Sequence, residues 1–174
     1  MHVPAGSKLL FEMHYTPNGS PQTDRSYIGV RFTSQDQVHK LVRGHAAIKQ
    51  DFEIPAEAAA HVVTANYRLR SDATLLSMTP HMHLRGKAFR YEAIYPDGER
   101  EILLDVPRYD FNWQLKYILA QPKLLPEGTQ LVCTATYDNS AANLANPDPS
   151  RPVRWGDQSW QEMMIGFFDT VAAD

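Results

Sequence analysis

Apolar and polar residues exchange places at every second position through much of this chain. The runs are "KLLFEMHY" (8–15), "SYIGVRF" (26–32), "HVVTANYRL" (61–69), "ATLLSMTPHMHL" (73–84), "FRYEAIY" (89–95), "REILLDV" (100–106), "QLKYILA" (114–120) and "TQLVCTATY" (129–137). Successive side chains of a strand point to opposite faces, so a period of two predicts strands with one face buried. The runs are rich in β-branched and aromatic residues and are separated by turn punctuation: "TPNGS", "IPAEA", "YPDGE", "QPKLLPEGT" and "NPDPSRP". Pro96-Asp97-Gly98 is a turn with a mechanism, since proline presets φ and glycine accepts a positive one. Short strands at this spacing predict an all-β fold with little helix, an antiparallel, jelly-roll-like β-sandwich. The run "WQEMMIGFF" (160–168) fits one helical turn or a final strand. Residues 138–157 form a polar loop whose Asp and Asn clusters match no calcium-loop spacing and read as solvated turns.

Composition narrows the function classes. The chain has 174 residues, 43 % apolar and 21 % charged, enough for one compact domain with its own core. Its net charge is −3 with the basic residues scattered, which argues against nucleic-acid partners and against a polybasic membrane patch. No apolar run approaches the ~20 residues of a membrane span. The opening "MHVPAGSKLL" has neither a basic n-region nor a long apolar h-region, so no signal peptide is expected within it. Cys133 is the single cysteine, so no internal disulfide is possible; in the middle of an alternating strand it reads as a small buried hydrophobe.

The chemistry concentrates at "TPHMHLRG" (79–86). On a strand, residues i and i+2 share a face, so His81 and His83 point the same way. Two imidazoles at a fixed separation are half of a metal site for zinc, copper, iron or nickel. The plainer alternative is one hydrogen-bonded core histidine beside a partly exposed neighbour. A cupin-like iron site needs a Glu shortly after the pair, but Arg85 to Phe89 fill that space and Glu92 is the first carboxylate. A zinc site of the carbonic-anhydrase type needs a third histidine, for which His39, His45 and His61 are candidates.

The stretches "PHMHLRGKAFRYEAIYPDG", "PRYDFNWQLKYIL", "LPEGTQLVCTATYDNSAAN" and "WGDQSWQEMMIGFF" carry more. Taken together they resemble the C-terminal domain of the copper type II, ascorbate-dependent monooxygenases. That family includes peptidylglycine α-hydroxylating monooxygenase and dopamine β-monooxygenase, and the likeness, over residues 25–170, is to bacterial members. The resemblance implies a copper-binding β-sandwich at 25–174, preceded by a junction segment at 1–24. It implies a catalytic copper held by His81, His83 and Met163, with Met164 left to the core. Thioether is a soft ligand that favours Cu(I), and imidazole supports both oxidation states. O₂ and ascorbate are the implied oxidant and reductant, hydroxylation of a C–H bond the implied reaction, and a periplasmic or extracellular location the implied setting.

The resemblance also implies a partner. Family members carry a second, electron-donating copper in an N-terminal domain, one of whose ligands falls on His14 here, without the His-His pair that would complete it. The implied partner is therefore that missing domain or another redox protein. His2 is a further, adventitious copper candidate. The peptide-amidating members hold a substrate carboxylate with Arg, Asn and Tyr at positions occupied here by Thr79, Ile165 and Phe167, which implies a less charged substrate. Tyr109, Asp110, Asn112 and Gln114 either orient the histidines or close a loop. Trp113, Trp155 and Trp160 are expected to pack the core or clasp the long loop, and Arg85 and Lys87 to form a solvated rim. The competing reading is a non-catalytic β-sandwich module for binding or partner contact, with or without a structural metal such as zinc.

Overall fold

The computed structural model describes residues 3–16 and 18–173; His2 lies outside them. The chain divides into two units, Met1–Leu41 and Val42–Asp174. The expected boundary between residues 24 and 25 falls inside the first.

The described part of the first unit has one short 3-10 turn, Gln35–Gln37, and no strand. The runs 8–15 and 26–32, expected as strands, are therefore not strands. Their alternation is real, but a strand must pair its N–H and C=O groups with a neighbour, and no described residue pairs with these. Leu10, Tyr27 and Phe32 stay exposed as a result.

The second unit is an all-β antiparallel sandwich. In chain order its strands are β1 (Arg43–Ile48), β2 (Glu53–Ile54), β3 (His61–Arg68), β4 (Ala73–His81), β5 (Gly86–Ile94), β6 (Arg100–Val106), β7 (Tyr117–Leu125), β8 (Gln130–Tyr137), β9 (Val153–Arg154) and β10 (Ile165–Ala172). One sheet has the order β1-β10-β4-β7, the other β3-β8-β5-β6, and β2 and β9 make a small ribbon. Six expected runs become β3 to β8. The undecided run at 160–168 resolves as turns leading into strand β10.

Alternation puts the core between the sheets. Leu131, Cys133, Ala135 and Tyr137 of β8 face inward, opposite Leu75, Met78 and Phe168 of the other sheet, and all are buried. The sheets approach closely at Gly166, where an added Cβ would overlap the Cys133 sulfur. Cys133 is fully buried and unpaired, as its place in an alternating strand implied. Beside it the Tyr91 hydroxyl donates to the Phe167 carbonyl of the facing sheet at 3.0 Å.

Candidate metal centre

His81 is the last residue of β4, which runs antiparallel to β10 with Ile165 opposite His81 and Phe167 opposite Thr79. Directly opposed residues share a face. Burial separates the two faces: Met78 and its partner Phe168 are sealed in the core, while Phe167 is 42 % exposed on the outside. His81 therefore belongs to the outer face of the sheet, half-buried among Thr79, Ile165 and Phe167. The ladder ends at this pair. Carried two residues further, the same register would bring Met164 level with Met82 and Met163 level with His83. Met82 and Met164 are fully buried and Met163 is half-buried, as that parity would have it, whereas His83 is buried as well.

The two imidazoles lie with centroids 5.2 Å apart and planes at 85°. His81 Nδ1 is 2.7 Å from the Gln114 side-chain oxygen, and His83 Nδ1 is 3.3 Å from the Gln161 carbonyl. On each ring Nδ1 has an acceptor. A histidine that donates from one nitrogen offers the other as a lone pair, the arrangement commonly found behind metal-ligating imidazoles. Burial, with the nearby His81 as a lesser cause and the Gln161 and Gln158 backbone opposing, lowers the pKa of His83, which favours the neutral ring that a ligand must present. The donor set thus fits a soft or borderline transition metal.

Three devices hold the backbone between and beyond the rings. The Tyr109 hydroxyl accepts from the Met82 N–H at 3.0 Å and donates to the Met82 carbonyl at 2.7 Å. Gly86 makes room for it, because a Cβ there would sit 2.6 Å from the Tyr109 ring. The Glu162 carboxylate accepts from the N–H of His83 at 2.8 Å and of Arg85 at 2.6 Å. Burial raises the Glu162 pKa to about 7, against the pull of those two N–H groups and the Arg85 charge. Gly156 leaves space for the Gln161 side chain, whose oxygen accepts from the Gln158 N–H at 3.1 Å. That turn sets the Gln161 carbonyl beside His83.

Several expected placements change. Arg85 is not on a solvated rim but 2 % exposed, donating to the Asn139 side chain and the Trp160 carbonyl, both at 2.8 Å. A buried guanidinium is tolerable only when paired and bonded, and the coulombic partners Glu162 and Asp148 and the Asn139 oxygen come from distant segments. Lys87 does remain exposed. Trp113 and Trp160 do not pack the core; they are largely exposed, while Trp155 is half-buried and bridges to Glu162. Tyr109 and Gln114 reach the His-x-His segment, whereas Asp110 closes the turn by accepting the Asn112 N–H at 2.8 Å. Glu162 was the residue missed. Its position before Met163 was visible in the Glu-Met motif, but its partners were not.

The remaining histidines are elsewhere employed. His14 is exposed in the first unit, 3.0 Å from Glu12. His39 is exposed there as well, and His61 opens β3 half-buried. His45 is bonded through both ring nitrogens, to the Tyr67 hydroxyl at 3.0 Å and the Thr170 hydroxyl at 2.9 Å. Among the described residues no three His, Cys, Asp or Glu side chains converge as a metal-binding group. A cavity of about 230 Å³ is lined by Tyr109 and Gln114, which also contact the His-x-His segment, and further by Arg108, Asp110, Trp113 and Tyr117.

Comparison with known proteins adds little. No family model and no curated protein matches the chain. Among solved structures, the VP2 subviral particle of infectious bursal disease virus is similar at 10 % identity and TM-score 0.36, covering 77 % of this chain and 33 % of that one. The latent PorU dimer of Porphyromonas gingivalis is similar at 10 % identity and TM-score 0.29, covering 84 % and 14 %. The chain thus spans about a third or less of the proteins it resembles in shape, and likenesses this slight carry no argument about the site.

Proposed function

We propose that the chain is a copper-binding oxidoreductase domain of the ascorbate-dependent monooxygenase kind, with one copper held by His81, His83 and Met163. The observation that carries this reading is that each Nδ1 faces an oxygen acceptor while the two rings lie with centroids 5.2 Å apart, an arrangement in which each Nε2 would be the nitrogen left to bind a metal. Met164 is buried in the core, and the β4–β10 register continued past Ile165 would bring Met163 level with His83, which supports its sulfur as the third donor. Copper bound there would supply a one-electron centre that meets O₂ in its Cu(I) form, which thioether favours. Hydroxylating a C–H bond with O₂ consumes two electrons from outside the substrate. Turnover therefore calls for a further donor, ascorbate acting directly or through a redox partner or second copper domain.

The chain's own residues set what approaches. Thr79, Ile165 and Phe167 present a neutral, largely apolar surface beside His81, and the adjoining cavity is lined by the rings of Tyr109, Trp113 and Tyr117 together with Arg108 and Asp110. At these three positions nothing replaces a bidentate arginine for a carboxylate. The loss of those three carboxylate-binding side chains supports a substrate less charged than a peptide carboxylate.

Titration with Cu(I) under anaerobic conditions tests the reading. We expect tight one-to-one binding, abolished by His81→Ala and weakened for Cu(I) more than for Cu(II) by Met163→Ala. Binding that ignores the methionine would point to a structural zinc-type site, and no binding at all to a non-catalytic sandwich module.

A further inference from the structure

We infer that Gln114 is a positioning residue that sets the ring tautomer of His81, keeping the proton on Nδ1 and turning a bare Nε2 outward. Its purpose rests on the copper reading above, but its geometry does not. A primary amide has a donating end and an accepting end. The Gln114 amide nitrogen donates to the Phe111 carbonyl at 2.9 Å, so the oxygen is the end that meets His81 Nδ1 at 2.7 Å. An amide oxygen has no hydrogen to give. The hydrogen in that contact must be on Nδ1, and a neutral imidazole with Nδ1–H has only a lone pair on Nε2. The opposite tautomer would set two lone pairs against each other at 2.7 Å.

The same turn reaches the second ring. Phe111, whose carbonyl anchors Gln114, stands nearly perpendicular to His83, at 86° with centroids 6.0 Å apart. Tyr109, five residues before Gln114, grips the Met82 backbone between the rings. The connection from β6 to β7 thus acts as one frame for both imidazoles, with Gln114 as the member that selects a nitrogen. His83 takes its tautomer from a main-chain carbonyl, which no side-chain substitution removes. It serves as an internal control.

The test uses the full, metal-free chain with ¹⁵N-labelled histidine and long-range ¹H–¹⁵N correlation at about pH 8.5, some two units above the ordinary imidazole pKa. The expected result is the Nδ1–H form for His81 in the parent chain. Gln114→Leu should shift His81 toward Nε2–H and leave His83 unchanged; Gln114→Glu, which keeps an accepting oxygen, should preserve Nδ1–H. Cu(I) affinity should fall about 10- to 100-fold in Gln114→Leu and less in Gln114→Glu. An Nε2–H form in the parent chain overturns the inference without any variant needing to fold, as does a tautomer unmoved in a folded Gln114→Leu. Absence of copper binding with the stated tautomers would sink the copper reading alone.

Discussion

Met82 stands between the two histidines with its side chain fully buried, and one phenolic oxygen serves both its N–H and its C=O. Tyr109→Phe removes that oxygen and orphans both backbone groups. An unsatisfied buried polar group costs about 1–3 kcal/mol, so urea unfolding should show a loss of that order. Gly86→Ala should cost a similar amount by pushing the Tyr109 ring aside. A second residue-scale expectation concerns acid. Burial, and secondarily the Arg43 charge, depress the pKa of His45, with Asp169 opposing; Tyr67, Thr170 and Phe168 are its other neighbours. A depressed folded pKa means that the folded state binds fewer protons than the unfolded one between the two values. The contribution is then present above the ordinary histidine pKa of about 6.5 and is lost as pH falls through the lower folded value. The melting temperature should drop over that interval, and His45→Gln should flatten the part of the drop that belongs to His45. Arg85 shows why this scale is hard to read from sequence. Its immediate neighbours, Leu84 and Gly86, give no hint of burial, because its compensating partners Asn139 and Glu162 lie more than fifty positions away.

Strands were legible where alternation was strict and a partner existed. β3, β6 and β8 appear almost as the pattern drew them; β8 alternates cleanly between buried and half-buried positions, while β6 has no fully buried residue and is only half-covered. β1, "RGHAAI", was not anticipated: small residues and a glycine give no alternation, and the strand is defined by its pairing to β10. The reverse holds at 8–15 and 26–32, where alternation encodes a face but cannot supply a neighbour. The candidate site mixes both situations. The His81/His83 spacing was visible in the sequence, but β4 ends at His81 and His83 is buried beyond it, and the Gln161 and Glu162 contacts needed the turn at Gly156. Sheet spacing gives a prediction at this scale. Cys133 is sealed where Gly166 lets the sheets close, and burial pushes its thiol pKa far up. A thiol reagent should therefore leave it unmodified in the folded chain and react only as unfolding proceeds. Modification of the native protein at a rate independent of denaturant would show that the sheets do not close as described.

At the scale of the whole molecule, the question is which part of the chain is needed for the sandwich. Every strand of the fold lies after Leu41, and every strand finds its hydrogen-bonding partners in Val42–Asp174. The core residues from Ala47 to Phe168 belong to the same segment. So do His81, His83 and Met163, together with the side chains and carbonyls that orient the rings. The exposed ladders at the sheet margins are also managed from within, since β7 carries Pro122 and Lys123, residues that discourage pairing with another chain. A chain beginning at Val42 should accordingly fold by itself, in a single cooperative transition. Circular dichroism should show the same strand signature, with a melting temperature within about 5 °C of the full chain, a shift of roughly 1–2 kcal/mol for a domain of this size. It should also bind one Cu(I) as tightly as the full chain does. A broad, non-cooperative melt would mean that the first unit completes the core. A cooperative melt with copper affinity lost would mean that a residue before Val42 ligates the metal, and would move the third donor away from Met163.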